Sequence, residues 1–287
     1  MDLAALYPSL RPLLFALAYR MLGSMAEAED IVQETFLDLS RHEAPETIDN
    51  PKGYACKIAS NKCGARLQRL IREREAYIGP WLPEPLVEYG TDPSSDYMHR
   101  ESLATAYLLL LQQLSETERL VFVLKEVLQF SYREIAYITE KSEANCRQIG
   151  HRARLAMQQH TGEAPMASEQ MGPLIEQFVQ ALQTGDIQQL LRVLDDKVVL
   201  TGDSGGQVPG SRVPVASAER VAAFLMKTNT LVPADAKTSF VPVNGLPGVV
   251  LSSGGRVMYV FSFHAVHGRI AGIYAVANPD KLSRLQA

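Results

Sequence analysis

Apolar residues along the first third of the chain recur with helical spacing. Leu10, Leu13, Leu14, Leu17, Ala18 and Met21 fall at the intervals of one buried helix face. Gly23 ends that pattern. Ser24, with Glu27 three residues on, predicts a capping box that opens a second helix. There Ala28, Ile31, Val32, Thr35, Phe36 and Leu39 form an inner stripe, while Asp30, Gln33, Glu34 and Asp38 line an outer, acidic side. Asn50 before Pro51 predicts an N-cap and a favoured first-turn proline. The helix that follows runs to about Arg74. Cys63, Leu67, Leu70 and Ile71 share one of its faces, and Lys62, Arg66 and Arg69 share another.

From Tyr77 to Asp96 the pattern breaks. Gly79, Pro80, Pro83, Pro85, Gly90 and Pro93 forbid a regular helix. The chain's only tryptophan, Trp81, lies here, and a plain spacer has no need of one. Helices resume at Leu103, Ala104, Tyr107, Leu108 and Leu111. Ser115 with Glu118, and Ser131 with Glu134, predict two further capping boxes. The first opens a helix carrying Leu120, Val121, Leu124 and Val127; the second opens a short one with Ile135 and Ile138. After Glu140-Lys141-Ser142 comes a helix with Cys146, Ile149, Ala153 and Met157 inward and Asn145, Gln148 and Arg152 outward. A short helix, a tight turn and a second helix with an exposed polar-basic face form the helix-turn-helix layout.

Beyond a Gly/Pro/Ser stretch at 161–168 the pattern mixes. Leu174, Ile175, Phe178, Val179 and Leu182 predict a helix, and 185–194 and 218–226 predict two more. Val198–Thr201, Ser239–Val243, Val249–Ser252, Arg256–Val266 and Arg269–Ala277 read as strands, with His267-Gly268 as a hairpin turn. Helices followed by antiparallel strands mean an α+β domain.

Composition adds little to this: 46% apolar and 21% charged residues are ordinary for a globular chain. No stretch reaches the ~18 uninterrupted apolar residues that a membrane helix needs. Arg11, Pro12 and Arg20 interrupt the apolar N-terminal stretch, and no signal peptide is read there. Cys56, Cys63 and Cys146 are odd in number and show no metal-like clustering, which suits free thiols in a reducing cytoplasm. Cys56 and Cys63 sit two helical turns apart and are poor disulfide partners. Neither a metal nor a cofactor is expected.

Charge distribution is more telling than the net charge of −4. Residues 52–74 hold seven basic side chains against one acid, Glu73. Residues 141–154 hold four against Glu143. Two basic segments lie in an acidic background, and local fields rather than the sum steer a polyanion.

Two stretches carry a family resemblance. The run from Ala28 to Phe36 resembles the core-polymerase-binding helix of the extracytoplasmic-function sigma factors, the small bacterial sigma-70-type initiation factors. Ser131-Tyr132-Arg133-Glu134-Ile135-Ala136, with Ser142–Arg147 and Arg152-Ala153-Arg154, resembles their promoter-reading helix-turn-helix. Trp81-Leu82-Pro83-Glu84-Pro85 and Asn278-Pro279-Asp280-Lys281-Leu282 are similar to motifs of the subgroup with a fused SnoaL-like C-terminal domain. Its Asp-Gly-Gly-Gly-Lys element corresponds to Asp203-Ser204-Gly205-Gly206-Gln207, which departs at two positions.

The resemblance implies a multi-domain chain: two all-α helical domains, the second with a helix-turn-helix, then an α+β SnoaL-like conical domain. Residues 1–75 would form sigma region 2, 76–96 a Pro-rich linker, 97–160 sigma region 4, 161–168 a second linker and 169–287 a regulatory domain. The implied partners are core RNA polymerase and promoter DNA. Asp30, Gln33, Glu34 and Phe36 are expected on polymerase, their carboxylates offering charge-assisted hydrogen bonds to a basic partner. Lys62, Arg66 and Arg69 are expected to track phosphates, and binding would weaken with salt. Glu143, Asn145, Arg147 and Gln148 reach base edges. His151 flanks them, and Arg152 and Arg154 lie further along, against phosphate. Unpaired bases are expected in a polar loop before Asn50. Trp81–Pro85, Asp203 and Asn278–Leu282 are the expected regulatory contact points.

Two rivals stand beside this reading. A ligand-sensing helix-turn-helix regulator acting without polymerase would use the same recognition helix and a small-molecule pocket in the C-terminal domain. An enzyme of cyclase or isomerase type would use Asp203 with His264 or His267. Fold kinship alone is a weak warrant for activity, and no catalytic site is expected.

Overall fold

The computed structural model describes residues 3–41, 50–88, 104–160 and 166–285. The chain divides into two compact units. The expected base-capturing loop before Asn50 and most of the 161–168 linker lie outside the described residues.

The first unit is helical. Helices α1 (Leu3–Leu22), α2 (Met25–Ser40) and α3 (Pro51–Glu75) pack on one another. Leu10, Leu13, Leu14, Leu17 and Met21 of α1 meet Ala28, Ile31, Val32 and Leu39 of α2 among the buried residues. Gly23 takes a left-handed conformation and its N–H closes α1 on the Tyr19 carbonyl. Asn50 caps α3 through the Gly53 N–H, as its position predicts. Ser24 caps α2 by accepting the Glu27 N–H. The reciprocal half of that capping box does not form, because the Glu27 carboxylate is held by Arg66 and Arg69 of α3.

Among the described residues this unit also holds the end of α4 (Thr105–Leu111), then α5 (Glu116–Phe122), α6 (Tyr132–Thr139) and α7 (Glu143–His160). Ser115–Glu118 and Ser131–Glu134 both form complete capping boxes. The helix predicted through Val127 differs. After Phe122 it widens into a π turn, Val123–Val127, closed by Leu128 N–H on the Val123 carbonyl. Val121, Phe122, Val123 and Leu124 are all buried, as are Val127 and Leu128, a broader face than an α-helix can turn inward.

The second unit is an α+β domain that also takes up residues 76–88 and 104–107. Helices α8 (Ser168–Thr184), α9 (Ile187–Val193) and α10 (Ala218–Asn229) share one core with a six-stranded sheet. The strands are β1 (Leu194–Asp203), β2 (Val215–Ala216), β3 (Lys237–Val243), β4 (Leu246–Ser253), β5 (Arg256–Val266) and β6 (Arg269–Val276), in the order β2-β1-β6-β5-β4-β3. All neighbours are antiparallel except β1 and β6. Phe178 of α8 meets Phe263 of β5 edge-on at 5.3 Å. Asn244-Gly245 and His267-Gly268, each with two positive φ values, turn the β3–β4 and β5–β6 hairpins. A short helix, α11 (Pro279–Leu282), follows β6.

Candidate functional site

Three groups of side chains carry the chemistry. The first lies between α2 and α3. Lys62 pairs with Asp38 at 2.9 Å and Glu34 at 3.2 Å. Arg66 pairs with Glu27 at 2.7 Å and Glu34 at 2.8 Å, and Arg69 joins Glu27 and Glu73. The basic face expected on DNA and part of the acidic face expected on polymerase are therefore each other's partners in this conformation. Phe36 packs on the Tyr7 ring at 4.7 Å.

What remains open on α2 is a stripe of Asp30, Gln33 and Leu37. All three are exposed, Leu37 by 53%. Among the described residues nothing pairs with Asp30 or Gln33. Leu37 was not in the expected set. Its signal was an apolar residue off the inner stripe, one turn beyond Gln33.

Other cations of α3 are also engaged. Lys57 pairs with Glu140 at 2.7 Å and lies over the Tyr137 ring. Lys52 lies 4.5 Å over the Phe130 ring. Arg74 donates to the Leu22 carbonyl at 2.8 Å, and Arg119 of α5 donates to that of Met21 at 2.7 Å. Two guanidiniums thus satisfy the C-terminal carbonyls of α1, where the helix dipole favours cations. Burial lowers both to about 10.

The second group is the helix-turn-helix. Glu140, at φ 54°, turns α6 into α7, and Ser142 accepts the Asn145 N–H. Cys146, Ile149, Ala153 and Met157 are buried, as their spacing predicts. Asn145, Gln148, His151 and Arg152 are exposed. Arg147 bonds Glu143 at 2.8 Å and lies over the Tyr132 ring. Arg154 pairs with Glu126, and Arg152 approaches Glu118 at 3.7 Å. Among the described residues, the polar edge of α7 left without an ion pair is therefore Asn145, Gln148 and His151.

The third group gathers all three sequence motifs of the second unit around Asp203, which is 1% exposed. Its Oδ1 accepts the Tyr77 hydroxyl at 2.5 Å and the Gly205 N–H at 3.2 Å. Its Oδ2 accepts the Leu82 N–H at 2.8 Å and Lys281 Nζ at 2.6 Å. Lys281 also donates to the Leu82 carbonyl and stands 4.0 Å over the Trp81 ring. Asn278 donates to the Tyr77 hydroxyl at 2.7 Å and caps α11 through Asp280 N–H. Gln207, where the subgroup has lysine, donates to Asp280 at 2.6 Å. The amide keeps a donor at that place. Burial and the Asp203 carboxylate raise the Tyr77 phenol, fixing it as a donor. Leu82, Pro83, Pro85, Leu86 and Leu282 are buried and Glu84 half-buried; Pro279 heads α11.

A further anchor was missed in the sequence. Asn244 accepts the Leu86 N–H, donates its backbone N–H to the Leu86 carbonyl, and donates from Nδ2 to Thr105. Thr105 in turn bonds Ser262 at 2.7 Å. The Asn244-Gly245 dipeptide was the available signal, and it points to a turn without saying what the side chain holds.

Asp203 and His264 do not form an acid–base pair. The Asp203 carboxylate already takes four donors, and His264 lies on β5 opposite Gly272, outside the wall of the cavity under the sheet. The thiols of Cys56 and Cys63 are buried, and burial pushes Cys56 up to about 12, which makes both unreactive.

Comparison with known proteins identifies the family. Residues 6–73 match the family model Sigma-70 region 2, and residues 104–157 match Sigma-70, region 4. The ECF RNA polymerase sigma factor SigJ of Mycobacterium tuberculosis is 30% identical over 96% of this chain and 92% of its own. The probable ECF RNA polymerase sigma factor SigI of the same organism is 29% identical over 96% and 93%. The crystal structure of SigJ superposes with a TM-score of 0.77 over 98% of both chains, at 27% identity. The second unit is accordingly a SnoaL-like domain. With both sigma regions in order and full-length likeness to SigJ, the chain belongs to the extracytoplasmic-function RNA polymerase sigma factors of the sigma-70 family.

Proposed function

We propose that this chain directs core RNA polymerase to a promoter, and that its SnoaL-like unit regulates the step by holding the linker between the two sigma regions. The observation that carries the reading is the open Asp30–Gln33–Leu37 stripe of α2, presented apart from the open Asn145–Gln148–His151 edge of α7. The first offers a carboxylate, an amide and an apolar contact to a partner helix. The second offers donors and acceptors to base edges.

In this reading Lys62, Arg66 and Arg69 reach phosphate only by exchanging Glu27, Glu34 and Asp38. The Glu34 and Asp38 ends are exposed, and surface pairs are individually worth about 0–1 kcal/mol, so exchange for phosphate is cheapest there; the Arg66–Glu27 pair is half-buried and costs more to open. Regulation follows from connectivity. The chain leaving α3 passes through residues 76–88, which belong to the SnoaL-like unit, before it reaches α5. Whatever opens the Asp203 clamp lengthens the tether between the two sigma regions. The SnoaL-like unit is also proposed to bind a small molecule, and the protein to work in the cytoplasm without catalytic activity of its own.

Run-off transcription with core polymerase tests both parts. Asp30→Ala with Leu37→Ala is expected to abolish promoter-specific product. Removal of residues 161–287 is expected to change its yield. Unchanged output from the first variant refutes the polymerase surface; unchanged output from the second refutes regulation. A chain that binds its promoter specifically with no polymerase present would favour the regulator alternative.

A further inference from the structure

The SnoaL-like unit has a half-open cavity of about 130 Å³ between its helices and the sheet. Phe178 and Val179 of α8, Phe224 of α10, Leu251 of β4, and Tyr259 and Phe261 of β5 contribute large apolar and aromatic side chains to its wall. The wall includes no lysine, arginine or histidine. Its one carboxylate, Asp203, is fully occupied by Tyr77, Leu82, Gly205 and Lys281. No charged side chain of the wall is left to pair with an ion. An apolar cavity of roughly 150 Å³ is known to take a benzene ring, so this one suits a single ring. Tyr259 adds a polar handle: its ring stacks on Phe261, and among the described residues its hydroxyl has no partner.

The same wall is part of the linker clamp. Asp203 and Ser204 line the cavity at one end of a loop, and Pro209, Gly210 and Ser211 line it at the other. Between them, Gly205 and Gly206 lie under Tyr77 and Ile78. A Cβ on Gly205 would stand 3.2 Å from the Tyr77 hydroxyl, and one on Gly206 3.0 Å from Ile78. Ala277, also in the wall, donates its N–H to the Asp203 carbonyl. A loop fixed to the cavity at both ends and to the linker in the middle cannot adjust to one without affecting the other.

We infer that this cavity is an effector site for a neutral, single-ring, mainly apolar molecule, and that its occupancy is coupled to the clamp on Tyr77–Leu82. The inference rests on the regulatory reading above and deepens it. Coupling of this kind is reciprocal, so loosening the clamp must also change the affinity of the cavity.

Trp81, the only tryptophan, sits in the clamp and reports its state. The test titrates the full chain with cyclohexanol, cyclohexanecarboxylate and cyclohexylammonium, all transparent where Trp81 is excited. Calorimetry measures binding and fluorescence measures the clamp. Cyclohexanol is expected to bind, both ions about tenfold or more weakly, and Trp81 emission to shift with the calorimetric Kd. Ala275→Phe and Leu251→Phe, which reduce the space, are expected to lose binding while melting cooperatively. Lys281→Met is expected to change the cyclohexanol Kd. Absence of cyclohexanol binding, or equal affinity for the ions, overturns the site. Binding with unchanged emission and an unchanged Kd in Lys281→Met overturns the coupling. These results are independent of transcription: should deletion of residues 161–287 leave run-off yield unaltered, the regulatory reading fails even where cyclohexanol binds.

Discussion

At the scale of single residues, Asp203 and Lys281 dominate. Their side chains are 0% and 8% exposed, so neither charge keeps its water. Removing one member of such a pair typically costs about 3–5 kcal/mol, because the survivor stays buried and uncompensated. Lys281→Met should fall near the lower figure, since three N–H or O–H donors still face Asp203. Asp203→Ala should cost more, as it also orphans Tyr77 and the Leu82 N–H. Urea unfolding followed at Trp81 checks the order. His264 supplies a pH signature. Burial holds its imidazole below the ordinary 6.5. As pH falls below that value the unfolded chain takes up the proton first, so stability declines until the folded pKa is passed and is flat above 6.5. Thermal melts between pH about 5 and about 8 should show this fall, and His264→Gln should remove it. These residues differ in how legible they were. Asp203 and Lys281 stood out through resemblance, whereas Tyr77 did not, because a tyrosine after a basic helix looks the same whether it stacks on a base or donates to a buried carboxylate.

At the scale of elements, period and caps carried most of the reading. The Ser131–Glu134 box opens α6 as its spacing predicts, and Ser131→Ala should cost about 1 kcal/mol in a thermal melt. Two departures have physical causes. The box at Ser24 is half-made because Glu27 finds two guanidiniums more rewarding than one backbone N–H. The π turn at Val123–Val127 arises because six apolar residues demand burial within eight positions. Helical spacing also placed Lys62, Arg66 and Arg69 on one face correctly, but spacing within a helix says nothing of which neighbour that face meets. Here it meets α2. Raising salt should therefore weaken the α2–α3 pairs as well as any DNA contact. Leu37→Ala, on the open side of α2, should leave the melting temperature unchanged while reducing capture by immobilised core polymerase.

At the scale of the whole molecule, the sequence reading treats residues 76–88 as a linker, and the structure makes them part of the SnoaL-like unit. Leu82 is fully buried, and Leu86 donates its N–H to the Asn244 side-chain Oδ1 and accepts the Asn244 backbone N–H, 158 positions away in the chain. Trp81 and the resemblance at Trp81–Pro85 point to a contact, but pairing at such separation leaves no local pattern, so neither the Asn244 partner nor the Tyr77 hydrogen bond is visible. Proline-rich composition looks the same in a free tether and in a strap pinned to a sheet. The distinction has a direct consequence for proteolysis. The strap carries Tyr77, Trp81 and Leu86, all chymotrypsin sites, and no lysine or arginine. Cleavage needs an extended, released backbone, so its rate tracks the population of the opened strap. The intact chain should resist cutting after Tyr77 and Trp81. Lys281→Met, which removes the cation from Asp203, the Leu82 carbonyl and the Trp81 ring at once, should make both bonds labile under conditions where the helices of the first unit survive. Mass spectrometry of the fragments identifies the bonds cut. Rapid cutting after Tyr77 in the unaltered chain would mean that the strap is not held, and that regulation through it has no physical basis.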